Sequence, residues 1–528
     1  MLQRLPRINL YLPGAQRVFG RLIMQSKTAT TTAIPEEEEK IADAKPFSEI
    51  PGPKLYPIIG NLLTLIKNNG YHQKRPHLLY SSYRQKYGPI FRDKIVNMKL
   101  LFVTTPEDFA TVFKAEGKYP DRGPTMPWIV YREQRKKAKG VLIGKGEEWR
   151  KSRSVMDKKL LKMKDVSAYS GRMNEVISDL ISHIKRKQIE DNLNGELSNL
   201  QNAIYKWSFE TINSVLFSKR LGAFNDPPTP IAEKFYKSVC SVLNITGNLV
   251  LMPPFYKYFK TKQWKEYCSY WDTLFEIGGK LIDEERNRLL SSGLDLSKKL
   301  ESNHRTEDME FLPYVLSRGE LSDEEITGNV IELMGGGVDT SANTIMWVLY
   351  ILGKNPDIQE KLYQEVSSVL KNGQFPDSQS VQKMPYLKGV LKESERLYPV
   401  LIATSRILAQ DVVLSGYHVP AETRVYMMMH LAARDESIFD EATKIKPERW
   451  IRSSSSQRKR NPFSFIPFGF GPRMCIGRRI AELEMEILIA RLISEFRIDC
   501  RNEKEVGVTF RLVASPDQDI RIAFQQRN

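Results

Sequence analysis

The amino-acid sequence predicts a mainly α-helical protein with small β-sheets, folded as one large domain. From about residue 145 to residue 290 the apolar residues recur mostly at helical spacing, and a long apolar helix is predicted at about 323–352. Strand-like segments are short and local, chiefly at 402–430. No Pro- or Ser-rich linker divides the chain after residue 35, which favours a single domain.

Start and stop signals define the elements around the long apolar helix. Ser322 and Glu325 have the spacing of a capping box at its start, and Gly353 with Pro356 is expected to end it. Residues 291–320 are polar, and they are predicted to form a surface connection.

The remaining elements follow from similar signals. Up to about residue 115 the pattern predicts a helix and then short strands, and the helical region that follows is expected to break near 225–230 and 251–254. Two more helices are predicted at 387–397 and 476–496, and a hairpin-like tail follows the second. The Ser, Arg and Lys residues of 453–460 predict a solvated loop.

The composition is that of a globular protein. Of the 528 residues, 41% are hydrophobic and 27% are charged, which excludes a disordered or fibrous chain. The four cysteines are too few for a disulfide scaffold and include no C-x-x-C pair, so a reducing compartment is expected and a zinc ribbon is not. The net charge of +16 suits nucleic acid, anionic lipid or an acidic protein as partner. No RNA-binding or zinc-finger motif is present, so nucleic acid is not expected.

The N-terminal residues have the composition of a mitochondrial transit peptide. Residues 1–35 contain five basic residues and no Asp or Glu, and they are rich in Ser and Thr toward their end. Arg and Pro interrupt every apolar run, so neither a secretory signal nor a membrane-spanning helix of about 20 residues is expected there. We therefore predict a transit peptide over residues 1–35 and one domain over residues 36–528. A disordered basic tail is the alternative.

The strongest motif is F-x-x-G-x-R-x-C-x-G, which runs from Phe468 to Gly477. Gly469 and Gly471 allow the backbone to approach a flat ligand closely. Cys475 precedes a helix, so its sulfur is expected near amide donors and the positive end of a helix dipole, which favours the metal-binding thiolate. Arg473 can pair with an anionic group on the same ligand.

Through this motif the chain resembles the cytochrome P-450 superfamily of haem-thiolate monooxygenases, over about residues 46–526. The resemblance implies the cytochrome P-450 fold and a haem b cofactor (iron protoporphyrin IX). It also implies that Cys475 is the axial thiolate ligand of the iron, where thiolate donation favours O–O cleavage. Arg473, Arg406 and the W-x-x-x-R pair Trp149 and Arg153 are implied as contacts of the haem propionates, because a dianionic edge in a poorly hydrated pocket needs charged partners.

The middle of the long apolar helix carries a second motif, Gly336-Gly337-Val338-Asp339-Thr340-Ser341, about 135 residues before Cys475. Glycine within a helix costs about 1 kcal/mol relative to alanine, and such a local conflict is expected at a functional site. A kinked core helix is the alternative. The resemblance implies the distal oxygen-activation helix, with Thr340 as the alcohol at the oxygen site and Asp339 as the acid that relays protons from solvent.

Three charged residues are assigned to structure instead of chemistry. Glu393 and Arg396 form an E-x-x-R motif, and residues three apart share a helix face. The resemblance implies that this pair is buried beneath the haem and meets Arg449, which lies in a P-E-R-W segment.

A set of basic residues is expected on one face. Lys388 and Lys392 are four apart on a predicted helix, and Arg478 and Arg479 directly follow the cysteine motif. The resemblance to mitochondrial members implies that Lys388, Lys392 and Arg479 dock an acidic [2Fe–2S] ferredoxin, which works with its own reductase, by electrostatic steering. A solvated charged face is the alternative.

Several stretches, such as Met126-Pro127-Trp128-Ile129-Val130-Tyr131-Arg132, resemble the branch of vitamin D 24-hydroxylase and sterol 27-hydroxylase. This resemblance implies a lipophilic, sterol- or secosteroid-like substrate, with Trp128, Leu401 and Phe510 as candidate contacts. Gly336 and Ser341 depart from the usual Ala and Thr, so a xenobiotic-metabolising mitochondrial monooxygenase stays open.

Two other functional classes fit the motifs less well than a monooxygenase. A haem-thiolate isomerase or dehydratase commonly lacks the acid–alcohol pair, so the Asp339-Thr340 pair argues against it. A haem-based ligand carrier or sensor needs no ferredoxin surface, so the basic residues argue against it. Peripheral association with the matrix face of the inner mitochondrial membrane is expected, with residues 250–255 as an apolar contact. A wall of the substrate channel is the alternative for these residues.

Overall fold

Helices make up most of the fold, as the apolar spacing predicts. The structure is a computed structural model that describes residues 41–57, 59–61, 75–95, 98–250, 254–293, 309–371, 373–451, 460–510 and 512–527. The predicted transit peptide and most of the predicted loop at 453–460 lie outside these residues. The helices are α1 (Pro76–Tyr87), α2 (Pro106–Lys114), α3 (Met126–Arg135), α4 (Gly146–Leu160), α5 (Met163–Ser167), α6 (Ser170–Asp191), α7 (Leu200–Leu216), α8 (Pro230–Val250), α9 (Lys262–Ser291), α10 (Phe311–Arg318), α11 (Asp323–Lys354), α12 (Pro356–Val369), α13 (Ser378–Gln382), α14 (Pro385–Leu397), α15 (Met429–Ala432) and α16 (Arg478–Glu495).

The β-structure is divided among small sheets, as predicted. The strands are β1 (Ile90–Ile95), β2 (Met98–Val103), β3 (Thr404–Ile407), β4 (Val412–Leu414), β5 (Tyr417–Val419), β6 (Arg424–Met427), β7 (Phe496–Cys500), β8 (Val508–Phe510), β9 (Ala514–Pro516) and β10 (Ile522–Gln526). The largest sheet has the order β1-β2-β6-β3, and β2 and β6 are its parallel pair. The other strands pair antiparallel as β4–β5, β8–β9 and β7–β10.

The long helix α11 forms where the capping signal predicts it. The Ser322 hydroxyl accepts a hydrogen bond from the Glu325 amide at 3.2 Å, and the Glu325 carboxylate accepts one from the Ser322 amide at 2.7 Å. The predicted end is slightly wrong, because Gly353 lies inside the helix. A Cβ on Gly353 would lie 2.7 Å from the backbone nitrogen of Cys500. The glycine therefore allows β7 to pack against the helix.

Residues 311–318 contradict the prediction of a polar surface connection. They form α10, whose apolar side chains are buried; Phe311 and Leu312 are 1% and 0% exposed. Pro313 lies in the first turn, where a missing backbone N–H costs no helical hydrogen bond. The polar residues around this short apolar run concealed it in the sequence.

The helix α11 lies at the centre of the fold. It packs against α7, α9, α14, α16 and β7, and most of its residues are buried, whereas residues 335–337, Asp339 and Thr340 in its middle are half-buried. Near its C-terminal end Trp347 stacks on Tyr398 with ring centroids 4.1 Å apart. Close packing of the flanking turns therefore fixes the position of the half-buried residues in the middle of α11.

The C-terminal strand ties the end of the chain to its middle. The amide of Phe524 in β10 donates to the Gly195 carbonyl at 2.9 Å, and the Leu197 amide donates to the Ile522 carbonyl at 3.0 Å. The side chain of Gln188 donates to the Phe524 carbonyl at 2.6 Å. Within the described residues, no helix is both long and apolar enough to cross a bilayer.

Candidate functional site

The loop that carries Cys475 is a tight turn directly before α16. Gly469 and Gly471 have φ values of +70° and +75°, a region that glycine adopts without strain. The amide of Cys475 donates to the Phe468 carbonyl at 2.8 Å, and the Met474 amide donates to the Gly471 carbonyl at 3.0 Å. These bonds hold the sulfur at the beginning of the helix, as the motif predicts.

The environment of the Cys475 thiol is mixed. Burial raises its pKa, while the Gly477 amide and the charges of Arg122 and Arg153 act in the opposite direction. Burial has the larger effect, so the net shift of this pKa is upward. A metal cation bound to the sulfur is the additional charge that deprotonates a thiol.

Four arginines lie at this loop, three from other segments and one from the loop itself. Together we call them the arginine cluster: Arg122, Arg153, Arg406 and Arg473. Arg153 donates to the Met474 carbonyl at 2.8 Å, and Arg406 donates to the Phe470 carbonyl at 3.3 Å. Arg122 donates to the Arg473 carbonyl. The structure therefore brings the predicted Arg153, Arg406 and Arg473 together around the cysteine loop.

The guanidinium of Arg473 is held by backbone carbonyls. It donates to Pro120 at 2.8 Å, Val141 at 3.2 Å and Gly144 at 2.7 Å, and it lies 4.0 Å from the centroid of the Trp149 ring. Burial and the nearby charge of Arg122 lower the pKa of Arg473 to about 9. These three bonds fix the position of the guanidinium without any bound anion. The predicted contact of Arg473 with a haem propionate therefore stays a prediction.

The arginine cluster carries more positive charge than its protein partners neutralise. Arg406 pairs with Glu116 at 2.5 Å, and Arg153 pairs with Asp157 at 2.6 Å. In the part of the chain that the structure describes, Arg122 and Arg473 form no ion pair with a carboxylate. Burial and the charge of Arg406 lower the pKa of Arg122 to about 10.

Buried donors without a protein partner lie in the same place. The Arg122 Nε and the Trp149 Nε1 are both buried and donate no hydrogen bond within the described residues. An excess of buried positive charge with unused donors is costly unless an anion is bound. The residues present therefore fit the dianionic edge of a haem.

The acid–alcohol pair lies in the middle of α11. The Thr340 hydroxyl donates to the Gly336 carbonyl at 2.8 Å. The Asp339 carboxylate accepts hydrogen bonds from the Tyr205 hydroxyl at 2.5 Å and from the Asn343 amide at 3.0 Å. The two predicted catalytic side chains thus have different neighbours, although they are adjacent in sequence.

A buried contact joins this helix to the helix that follows Cys475. The Ser341 hydroxyl donates to the Glu484 carboxyl group at 2.5 Å, and Glu484 is only 3% exposed. Burial raises the pKa of Glu484 to about 8, against the opposing effect of the Ser341 bond. The predicted distal pair and the predicted ligand therefore lie on directly contacting elements.

The buried ion pairs around Glu393 confirm the predicted contacts of its carboxylate. Arg396 donates two bonds to Glu393, both at 2.9 Å, and Arg449 lies 3.2 Å from the same carboxylate. The indole of Trp450 donates to it at 2.8 Å. These bonds hold the segment after α15 against α14, which is a structural role.

The predicted redox-partner residues lie together. Lys388 and Lys392 lie on α14, and both are close enough to Glu486 to lower its pKa; burial is the larger effect and raises that pKa to about 7. On α16, Arg478 and Arg479 pair with one acid, Glu482, at 2.8 Å and 3.3 Å. Together, Lys388, Lys392, Arg478 and Arg479 are called the proximal basic surface below.

The three candidate substrate contacts are not brought to one place. Trp128 is 4% exposed, and its indole donates to Thr246 at 3.0 Å in the packed core between helices. Leu401 is 42% exposed. Its neighbour Val400 accepts a bond from Ala514, which is paired with Phe510 between β9 and β8. Leu401 and Phe510 therefore share a region from which Trp128 is separate.

Sequence reasoning missed four residues of this site: Glu116, Arg122, Tyr205 and Glu484. Glu116 and Arg122 lie in loops without a periodic pattern, so nothing in the sequence linked them to Cys475. Glu484 stands between Glu482 and Glu486 in a helix that carries several other charged residues, so nothing in the sequence marked it as buried.

Known proteins resemble this chain over nearly its whole length. The family model described as Cytochrome P450 matches residues 50–524. Cytochrome P450 10 of Lymnaea stagnalis is 33% identical over 503 residues, which is 95% of this chain and 89% of the relative. The mitochondrial 1,25-dihydroxyvitamin D(3) 24-hydroxylase of Mus musculus is 32% identical over 486 residues, 92% of this chain and 90% of the relative. The mitochondrial cholesterol side-chain cleavage enzyme of Sus scrofa is 31% identical with the same coverage.

These matches confirm the predicted family, fold, cofactor and enzyme class. Family members bind haem b through a cysteine thiolate. Two of the relatives are named as mitochondrial enzymes, which supports a mitochondrial location for this chain. The chain belongs to the cytochrome P450 family and is a haem-b-dependent monooxygenase.

Proposed function

We propose that this protein hydroxylates a lipophilic, sterol- or secosteroid-like substrate in mitochondria, with electrons from a [2Fe–2S] ferredoxin. The vitamin D and cholesterol enzymes among its relatives support this substrate class. The observation that carries the assignment of the site is the convergence of the arginine cluster on the loop of Cys475. We assign Cys475 as the ligand of the haem iron.

The haem site is built from two sides of the loop. Cys475 supplies the sulfur at the start of α16, and Trp149 with Arg122 offers buried donors to the propionates. Arg153 and Arg406 add positive charge. Arg473 anchors the loop by donating hydrogen bonds to the backbone carbonyls of Pro120 and Gly144. When bound, the haem supplies the redox chemistry that activates oxygen.

The distal residues Asp339 and Thr340 transfer protons. Asp339 lies on the side of α11 that faces Tyr205, and it takes protons from solvent as a general acid–base group. Thr340 offers a hydroxyl that both donates and accepts, so it passes a proton without a change of its own charge. The bond of Thr340 to the Gly336 carbonyl fixes the rotamer of that hydroxyl.

The proximal basic surface is the proposed ferredoxin site. The nearest acids are Glu482, which is paired, and the carboxyl groups of Glu395 and Glu486. Burial raises the pKa of Glu395 to about 8 and that of Glu486 to about 7. At pH 7 these two groups are therefore wholly or partly neutral, and the surface keeps a positive charge that attracts an acidic partner.

Membrane association is proposed through the segment after α8. Phe255, Tyr258 and Phe259 are 60%, 75% and 67% exposed, which is unusual for large apolar side chains in one short segment. Lys257 and Lys260 lie among them and suit anionic headgroups. We place this face against the matrix side of the inner membrane, with the substrate entering from the lipid phase.

The substrate contacts are proposed from the region shared by two candidates. Leu401 and Phe510 lie close enough in the fold to line one wall for an apolar ligand. Trp128 contributes indirectly, by fixing α3 against α8 and α9 through Thr246 and Trp271. The lipophilic class is the chemistry that apolar lining selects.

The test of the ligand assignment compares two cysteines. Cys475→Ala should abolish the long-wavelength Soret band of the reduced, CO-bound protein, because a thiolate ligand produces that band. Cys500→Ala, which removes another half-buried cysteine, should leave it unchanged. If the Cys475 variant kept the band, another residue would be the ligand.

The substrate class is tested by binding spectra of the purified protein with a panel of sterols, secosteroids and xenobiotics. A shift of the Soret band at micromolar concentrations with sterols or secosteroids supports the proposal. Shifts with xenobiotics alone would assign the protein to the xenobiotic-metabolising class.

A further inference from the structure

A cavity lined by both polar and apolar side chains lies beside the middle of α11. Its volume is about 390 Å³, and Asp339 forms part of its wall. Amide and hydroxyl groups from α7, α8 and the C-terminal strands provide most of the rest. The polar residues that matter to the argument are Asn202, Tyr205, Tyr236, Asn244, Asp339 and Ser515.

At the inner end of the cavity the Asp339 carboxylate is held by two donors. The Tyr205 hydroxyl lies 2.5 Å from its Oδ1, and the Asn343 amide lies 3.0 Å from the same oxygen. Asn343 also donates to the Tyr205 hydroxyl at 2.8 Å. The three side chains form a closed triangle of hydrogen bonds, which is more rigid than a single bond.

We propose that this cavity is the solvent entrance for protons that reach the distal helix, and that Tyr205 is the positioning residue that holds Asp339 at its inner end. The inference rests on the proposed role of Asp339 and Thr340. It adds a route and a residue that the cysteine and distal-helix motifs do not specify.

Geometry supports the direction of this route. Successive residues of a helix point about 100° apart, so Asp339 and Thr340 cannot face the same side. Asp339 forms part of the cavity wall, whereas the Thr340 hydroxyl is bonded along the helix to Gly336. Asp339 is therefore placed to collect protons on the cavity side of α11, and Thr340 is placed to use them on a different side of the same helix.

The lining of the cavity suits water. Tyr236 donates to Asn202 at 2.9 Å, and amide and hydroxyl groups of this kind hold ordered water through several bonds. Along a chain of such waters, each water that gives a proton toward the Asp339 carboxylate takes one from the next, and bulk solvent supplies the last, so no hydroxide is left. Burial and the charge of Asp339 raise the pKa of Tyr205, so its phenol stays protonated and remains a donor.

The experiment uses Tyr205→Phe in the full holoenzyme, with Tyr131→Phe as the matched control. Tyr131 also donates to a carboxylate, that of Asp272 at 2.9 Å, but it lies on α3. For Tyr205→Phe we expect a several-fold rise in peroxide per hydroxylated product, a larger solvent deuterium isotope effect and a shifted pH profile of coupling. Tyr131→Phe should show none of these changes.

A second comparison shows whether Tyr205 acts through Asp339. In an Asp339→Asn background, Tyr205→Phe should cause little further change in coupling, because the carboxylate that it positions is gone. The melting temperatures of the two single variants and the double variant provide a readout independent of activity. The double variant should lose less than the sum of the single losses, since Asp339→Asn already weakens, by removing the charge, the bond that Tyr205→Phe removes.

The outcomes separate this inference from the proposed function. If Asp339→Asn uncouples turnover while Tyr205→Phe does not, the role of Tyr205 is wrong and that of Asp339 stands. If Asp339→Asn itself leaves coupling unchanged, both fail. An equal effect of Tyr205→Phe with and without Asp339 would also overturn the inference.

Discussion

The hydroxyl of Ser341 donates to the buried carboxyl group of Glu484 at 2.5 Å, and this bond joins α11 to α16. The two helices carry, respectively, the distal pair and the residues that follow the cysteine loop. The carboxyl group is buried and forms no ion pair with a basic side chain within the described residues. It therefore stays protonated over most of the neutral range, which its raised pKa of about 8 reflects.

We predict that Glu484→Gln stabilises the protein at alkaline pH. A carboxyl group whose pKa is about 8 in the folded protein, against its usual 4.5, gives full stability below about pH 4.5 and loses it as pH rises through about 8. The glutamine amide is always neutral, and its oxygen still accepts from Ser341. The gain should reach roughly 3–5 kcal/mol near pH 8 and vanish near pH 5.

The check is the melting temperature as a function of pH. The difference between variant and wild type should grow from pH 5 to pH 8 and then level off. Glu503→Gln, at an exposed position, is the control and should give a flat difference. A pH-independent difference for Glu484→Gln would show that the carboxyl group titrates normally.

The ferredoxin surface gives the next prediction. Lys388→Glu with Lys392→Glu changes the local charge by −4, and like charges across an interface cost several kcal/mol. Ferredoxin-supported turnover should collapse, while turnover driven by a peroxide should survive. Lys234→Glu with Lys237→Glu makes the same change at exposed positions of α8 and should affect neither assay. Equal loss in both assays would indicate a folding defect instead.

Ferredoxin binding should also depend on pH. Between pH 6 and pH 9 the carboxyl groups of Glu486 and Glu395 lose their protons, at about 7 and about 8, and add negative charge beside the proximal basic surface. The affinity for an acidic ferredoxin, measured by calorimetry at constant ionic strength, should fall across this range. Glu486→Gln should flatten the lower part of the curve. An affinity that rises with pH would contradict the assignment.

Thr340→Ala should uncouple electron use from hydroxylation. The loss of the hydroxyl interrupts proton delivery, so peroxide should rise relative to product by about 10-fold or more, within the usual range of general acid–base effects. Substrate-binding spectra should remain normal. Thr344→Ala removes a hydroxyl one turn along α11, where Thr344 donates to the Thr340 carbonyl, and should change coupling little.

Trp149→Phe should weaken retention of the haem. Phenylalanine keeps an aromatic ring against Arg473. It lacks the indole Nε1–H of Trp149, a donor that has no hydrogen-bond partner among the described residues. The half-time of haem loss to an acceptor globin should shorten several-fold. Trp271 has a similarly unpaired buried indole beneath Arg132, with the guanidinium 4.3 Å from its ring. Trp271→Phe should therefore leave haem loss unchanged if the propionates, and not general packing, explain the effect.

The sequence was most informative where a local pattern has one structural solution. The capping box at Ser322 and Glu325 correctly marked the start of α11, since its two bonds form within four residues. The cysteine motif correctly predicted that Cys475 lies directly before a helix, and its two glycines adopt φ values near +70°, which glycine takes without strain. Both signals involve residues that are close in sequence.

Contacts between distant segments explain what the sequence could not reveal. Arg122 meets the cysteine loop from 351 residues away, and nothing near it predicts this contact. Gly353 looked like a helix end because its real function, close contact with Cys500, depends on how β7 packs. The short helix α10 was hidden because its burial comes from neighbouring helices and not from its own length.

The contacts of β10 have a consequence for the order in which the fold can form. Gln188 at the end of α6 binds Phe524, which is 336 positions away in the sequence. Contacts of such separation form late, because closing the long intervening loop costs conformational entropy before the contact contributes any stabilisation. The connection between α6 and α7 therefore reaches its final packing only after β10 has formed. Removal of the chain from Phe524 onward should weaken this connection, because it deletes the bonds of Phe524 to Gly195 and Gln188 and leaves that of Ile522 to Leu197.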